Sequence, residues 1–182
     1  MAEYTAPTGD TIWDEAVRSV MRRGFYATLP PVTEGGAHGL LLAQFLRLVE
    51  EAGELSEAWR KYPYGVEEAL QAELADMAIV LSQMAYITGL PMADLDNVGP
   101  EMAGILTPSE AVGGIGRALR KWDGISEPVA IRDSIMVAMA VILFNDHVML
   151  EDEDVAKKLA ADELRGQLHG HSWAPAQNGG GS

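Results

Sequence analysis

The sequence predicts an all-α fold whose core is a four-helix bundle built from two tandem helix hairpins, with peripheral helices around it. Three observations predict it. The composition is rich in Ala, Leu, Glu and Met, which favour helix. Almost no segment shows the apolar–polar alternation of a half-buried strand. The chain also repeats itself, without a gap, at an offset of 60 residues. Glu50 falls on Glu110, Gly53 on Gly113, Ala58 on Ala118 and Arg60-Lys61 on Arg120-Lys121. Tyr62 falls on Trp122, Glu67 on Glu127, Glu73 on Asp133 and Ala78 on Ala138. Two hairpins related in this way would pack as a pseudo-dimer around one shared core.

A first helix is expected over about 11–25, with Asp10 as its cap. A loop carrying Pro30, Pro31, Gly35 and Gly36 follows. A long helix then runs over about 39–61 until Pro63 and Gly65 stop it. The next spans about 66–88 and ends at Gly89 and Pro91, a C-terminal glycine followed by proline. A short helical piece covers 92–105. Thr107-Pro108-Ser109-Glu110 reads as a capping box with proline at the first helical position, opening a helix that ends near Lys121. Further helices are expected over about 128–148 and 152–168. Residues 1–168 therefore read as one domain, with a motif-bearing half at 39–90, a degenerate repeat at 99–150 and a flexible tail at 169–182.

A chain of 182 residues can bury a proper core without disulfides, and this one has no cysteine. That excludes thiolate metal sites and fits a cytoplasmic protein. The formal charge of −14 argues against general nucleic-acid binding, which needs clustered Lys and Arg. It is compatible with a soluble surface or with carboxylates that bind metal. The start of the chain lacks the apolar run of a signal peptide. The apolar stretch 136–150 is broken by Asn145, Asp146 and His147, and is shorter than the roughly 20 residues a bilayer span takes.

The acids of the first hairpin carry the chemistry. The long helix reads Val49-Glu50-Glu51-Ala52-Gly53-Glu54-Leu55 and the next reads Ala72-Glu73-Leu74-Ala75-Asp76-Met77. Each presents acids at i and i+3, on one helix face. Two helices joined by a short turn would aim four carboxylates at one spot, where they repel unless a hard, oxygen-seeking cation such as Mg²⁺ lies between them. The alternative is solvated helix faces. That has force for Glu51 and Glu54, at and beyond the edge of the stripe Leu41, Phe45, Leu48, Ala52, Leu55 and Trp59. It has less for the second helix, because Glu73 falls inside the stripe Leu70, Leu74, Met77, Val80, Leu81 and Met84, with Asp76 at its edge.

These two motifs resemble the signature of the all-α NTP pyrophosphohydrolases, the superfamily of MazG proteins, dimeric dUTPases and dCTP pyrophosphatases. The resemblance is carried by Leu48–Ala58 and Glu73–Leu81 and covers about residues 40–90. It implies a MazG-like bundle in which Glu51, Glu54, Glu73 and Asp76 hold Mg²⁺, with Mn²⁺ as a substitute. It also implies hydrolysis of a (deoxy)nucleoside triphosphate to the monophosphate and pyrophosphate, as in nucleotide-pool house-cleaning or dUTP and dCTP hydrolysis. Glu50 is adjacent and points elsewhere on an ideal helix; further ligand, general base and surface acid are all open to it.

The second half departs from the pattern. Glu51, Glu54 and Asp76 become Ala111, Gly114 and Met136, so it should hold no metal. Its expected job is to replace a partner subunit, leaving the chain a monomeric pseudo-dimer or a homodimer. Lys61, Arg117, Arg120, Lys121 and Arg132 are candidate contacts to the triphosphate, against the alternative of solvated helix surface. The lysine that many family members carry after the second motif helix is missing from Met92-Ala93-Asp94-Leu95-Asp96-Asn97. Two other classes compete. A di-iron bundle needs Glu-x-x-His, and none of His38, His147, His169 or His171 has a glutamate three residues before it. A catalytically inactive helical module that binds nucleotides or a protein partner is the remaining alternative.

Overall fold

The computed structural model describes residues 11–23, 36–61, 67–144 and 148–168. The described residues form helices and connecting segments, with no strand. The helices are α1 (Ile12–Arg22), α2 (Gly36–Lys61), α3 (Glu67–Thr88), α4 (Met92–Asp96), α5 (Pro100–Ala103), α6 (Pro108–Lys121), α7 (Val129–Leu143) and α8 (Asp152–Leu168). The expected cap Asp10, the end of the first predicted helix and the tail at 169–182 lie outside the described residues.

Local chemistry accounts for most helix ends. The side chain of Thr11 caps α1 by accepting from the Asp14 N–H at 3.1 Å. α3 ends at Gly89, whose φ of 70° suits only a residue without a Cβ, and the Leu90 N–H closes the end on the Ala85 carbonyl at 2.9 Å. The Thr107–Glu110 capping box forms in both directions, with the Thr107 N–H donating to Glu110 at 2.9 Å and the Glu110 N–H to Thr107 Oγ1 at 3.3 Å.

Two expected helices come out differently. The piece over 92–105 is two short helices, because Pro100 disfavours helical backbone at Gly99, which is extended there. The helix expected to reach residue 148 stops at Leu143, and Val148 and Leu150 are buried beyond it in non-helical chain.

α2 packs against α3 and α6 against α7; α3 also packs on α7, and α2 on α6. α1 and α8 pack on α3 and on each other, so α3 is surrounded. That explains its sequence: from Leu74 to Ala85 every residue is buried, and a helix apolar almost all round belongs inside. The two hairpins bury corresponding positions at the 60-residue offset: Glu51 and Ala111, Ala52 and Val112, Leu55 and Ile115, Ala75 and Ile135, Ala78 and Ala138. Leu74, Met77, Leu81 and Met84 meet the core alongside Ile131, Ile135 and Met139. Among the described residues, no helix is long and apolar enough to cross a membrane.

Candidate metal centre

α2 and α3 follow each other and lie side by side, so they run antiparallel and their acids meet. Glu51 and Glu54 come from one face of α2, one turn apart, and Glu73 comes from α3. One carboxylate oxygen from each lies within 4.8 Å of the others. Glu51 is only 8% exposed and Glu73 is half-buried, whereas Glu54 reaches water.

Asp76, one turn further along α3, is 7% exposed. It stands outside the three-oxygen cluster, and its carboxylate is paired with the ammonium of Lys158 on α8. Arg47, one turn before Glu51 on α2, brings its Nε to 3.4 Å from Glu51. Next to this pair α8 is tied to α1. Arg23 meets Asp162 at 3.2 Å, and the Ser19 hydroxyl donates to Glu163 at 3.1 Å.

The electrostatics are those of carboxylates held against their will. Burial pushes the Glu51 carboxyl above its usual range; the Asp76 charge adds to the rise and Arg47 offsets part of it. Glu73 is raised by burial, then by Asp76 and Glu54, against a smaller pull from Lys158. Burial raises Asp76 even with Lys158 beside it. The Glu73 Oε2 atom is buried without a hydrogen-bond partner. Such an atom is costly unless something binds it. An all-oxygen donor set of this charge suits a hard divalent cation.

The site residues expected from sequence divide three ways. Glu51, Glu54 and Glu73 come together, with Asp76 buried alongside. Glu50 is exposed and is not part of the cluster. The expected phosphate contacts lie elsewhere. Lys61 pairs with Glu57 at 2.6 Å, and Arg132 donates to the Thr88 carbonyl at 2.7 Å and pairs with Glu127 at 3.0 Å. Arg117 lines a cavity between α6 and α7, and Arg120 and Lys121 are exposed at the end of α6. The cations that do meet the acids are Arg47 and Lys158. Arg47 had a signal, its i, i+4 spacing to Glu51; Lys158 had none, because only the folded chain brings α8 to α3.

No protein-family model, no curated protein and no solved structure matches the chain.

Proposed function

We propose that the protein is a Mg²⁺-dependent nucleoside triphosphate pyrophosphohydrolase with a MazG-like core. The observation that carries this reading is the convergence of Glu51, Glu54 and Glu73 from two helices to within 4.8 Å. Three carboxylate oxygens this close would hold a hard, oxygen-seeking divalent cation between them. Mg²⁺, when bound, neutralises phosphate charge and lowers the pKa of a coordinated water.

The chain's own residues do the rest. Glu51 is buried and Glu73 half-buried, and both would act as fixed ligands. Glu54 is exposed within the cluster: one of its oxygens would complete the ligand set and the other would be open to take a proton from an attacking water, for which Glu50, outside the cluster, is less well placed. The water oxygen bonds to the α-phosphorus and the bond from that phosphorus to the α–β bridging oxygen breaks. Monophosphate and pyrophosphate leave, and the proton passes to the carboxylate. Were Lys158 displaced, Asp76 would be free to help Glu51, Glu54 and Glu73 hold the ion, and the Lys158 ammonium would be free to pair with a phosphate oxygen instead. In this reading α6 and α7 stand in for a second subunit, which is why their side of the pseudo-dimer can lose its acids.

The test is a panel of ribo- and deoxyribonucleoside triphosphates with Mg²⁺ and product identification. Monophosphate and pyrophosphate in equal amounts are expected from at least one. If none is hydrolysed, dUTP and dCTP included, the reading fails.

One observation favours a second reading, a catalytically inactive nucleotide-binding or protein-interaction module. Lys158 already neutralises one of the four acids, as a site that no longer takes metal would require. Calorimetry with Mg²⁺ and Mn²⁺ separates the two: the enzyme binds the ion through Glu51, Glu54 and Glu73, and the inactive module does not.

A further inference from the structure

The ammonium of Lys158 reaches across from α8 to the Asp76 carboxylate on α3. Asp76 lies one turn beyond Glu73, on the helix face that carries the acidic cluster. Its charge is felt by both Glu51 and Glu73, yet its oxygens stand outside the three-oxygen group. The side chains of the pair are only 18% and 10% exposed, so Lys158 plugs the side of the centre that faces α8.

The two cations that meet the acids are held differently. Arg47 belongs to α2 itself and reaches Glu51 through i, i+4 spacing, at 3.4 Å. Lys158 arrives from a helix that is anchored without it. One turn further along α8, Asp162 meets Arg23 of α1 at 3.2 Å, and Glu163 accepts from Arg22 at 2.5 Å and from the Ser19 hydroxyl at 3.1 Å. An ammonium on a four-carbon stem is a compact charge that can swing away by side-chain rotation. With α8 fixed to α1, that rotation leaves the helix docked. The acids one turn to either side of Lys158 are already engaged, Asp162 by Arg23 and Asp154 by the Glu151 N–H at 3.1 Å, so Asp76 keeps the ammonium until another cation competes for it.

We propose that Lys158 is a built-in competitor of the divalent cation: its ammonium keeps Asp76 out of the ligand set, and an ion gains Asp76 as a fourth ligand only by displacing it. This rests on the reading of Glu51, Glu54 and Glu73 as a metal centre. The affinity for the ion is then the intrinsic affinity of the four acids, reduced by the fraction of molecules in which Lys158 has swung away. The centre fills above a threshold of free ion that one ion pair sets.

The experiment is titration of the metal-free full chain with Mn²⁺ alone and with Mg²⁺ alone, read by calorimetry and by the rise in melting temperature each ion gives. Lys158→Met keeps most of the stem and removes the charge. It should bind both ions roughly tenfold more tightly, an ordinary size for coupled sites, and gain more melting temperature from them than the parent does. Lys158→Arg keeps the charge and can grip Asp76 through two parallel hydrogen bonds, so it should bind the ions more weakly than the parent. Lys157→Met removes the same charge one residue away, at an exposed lysine that pairs with Glu153 at 3.1 Å, and should leave the affinity unchanged. The inference is overturned if Lys158→Met binds no more tightly than the parent, or if Lys157→Met tightens binding as much. Should Lys158→Met melt below the temperature of the titration, Lys158→Arg decides, and an affinity equal to the parent's or higher overturns the inference. Uptake by the parent that no change at Lys158 alters removes the inference and leaves the metal centre standing. No uptake by the parent or by any variant ends both.

Discussion

Lys158 of α8 and Asp76 of α3 form an ion pair from which water is largely excluded, with the side chains 18% and 10% exposed. Removing one partner of such a pair strands the other's charge in a poorly solvated place. Lys158→Ala should therefore destabilise the metal-free protein by about 2–4 kcal/mol. Mg²⁺ should restore part of that loss, because the ion can replace the ammonium as Asp76's counter-charge. Thermal melting in EDTA and in Mg²⁺ reads both effects. Equal stability of variant and parent in EDTA would show that the pair contributes nothing.

Glu73 should show the opposite balance. It is half-buried, faces Asp76 and Glu54, and has an oxygen without a partner. Glu73→Gln removes the repulsion and keeps the shape. It should stabilise the metal-free protein by about 0.5 kcal/mol, a value already reduced for solvent screening, while lowering affinity for Mg²⁺. Urea melts in EDTA and ion titrations check the two halves separately. A variant that is less stable in EDTA would mean that the carboxylate is satisfied rather than strained.

The pH dependence carries the same signature. Glu51, Glu73 and Asp76 are raised in the fold, so in the metal-free protein the native state holds protons that the unfolded chain has released. Stability should then fall as pH rises through the raised values, starting from about 3.8 for Asp76 and about 4.5 for the two glutamates. Glu163 is lowered, chiefly by its hydrogen bond from Arg22, and works the other way. Its contribution is lost as pH falls below the ordinary glutamate value of 4.5, so above the mid-fours the raised carboxyls dominate. Denaturation in EDTA across pH 4–8, a range of about four units, should show the fall above the mid-fours, and saturating Mg²⁺ should flatten it. A metal-free profile that rises throughout would contradict the raised carboxyls.

Two glycines of the repeated helices should respond in opposite directions. Gly53 on α2 is exposed with nothing within 4 Å of a Cβ, so Gly53→Ala should stabilise by about 0.5–1 kcal/mol through helix propensity alone. Gly116 on α6 lies under the Phe45 ring, and Gly116→Leu should destabilise by about 1–3 kcal/mol by forcing the ring and the two helices apart. Chemical denaturation of the two variants beside the parent measures both.

Much of this molecule was legible in the chain because helical information is local. The capping box at Thr107, the stop at Gly89 and the burial of Leu70, Leu74 and Met77 depend on residues within a turn or two of each other. The acids at i and i+3 are of the same kind, and Glu73 was conspicuous because it interrupts an apolar stripe. Glu51 was less clear. Its place at a stripe edge suits water as well as protein, and it is buried once α2 lies in the assembled bundle. Arg132 looked free to meet a phosphate, yet it ties α7 to the end of α3 through Thr88. Lys158 and the cavity under Arg117 were not visible at all.

The sequence by itself determined that the chain is helical, where most helices start and stop, and which acids share a helix face. Spacing along one chain sets those relations, since the geometry of a helix repeats every few residues. Only the tertiary structure decided that three carboxylates converge, that Asp76 takes its counter-charge from a helix far along the chain, and which cations face the acids. Those relations depend on how rigid helices stack in space, and the energy of a charge depends on everything around it.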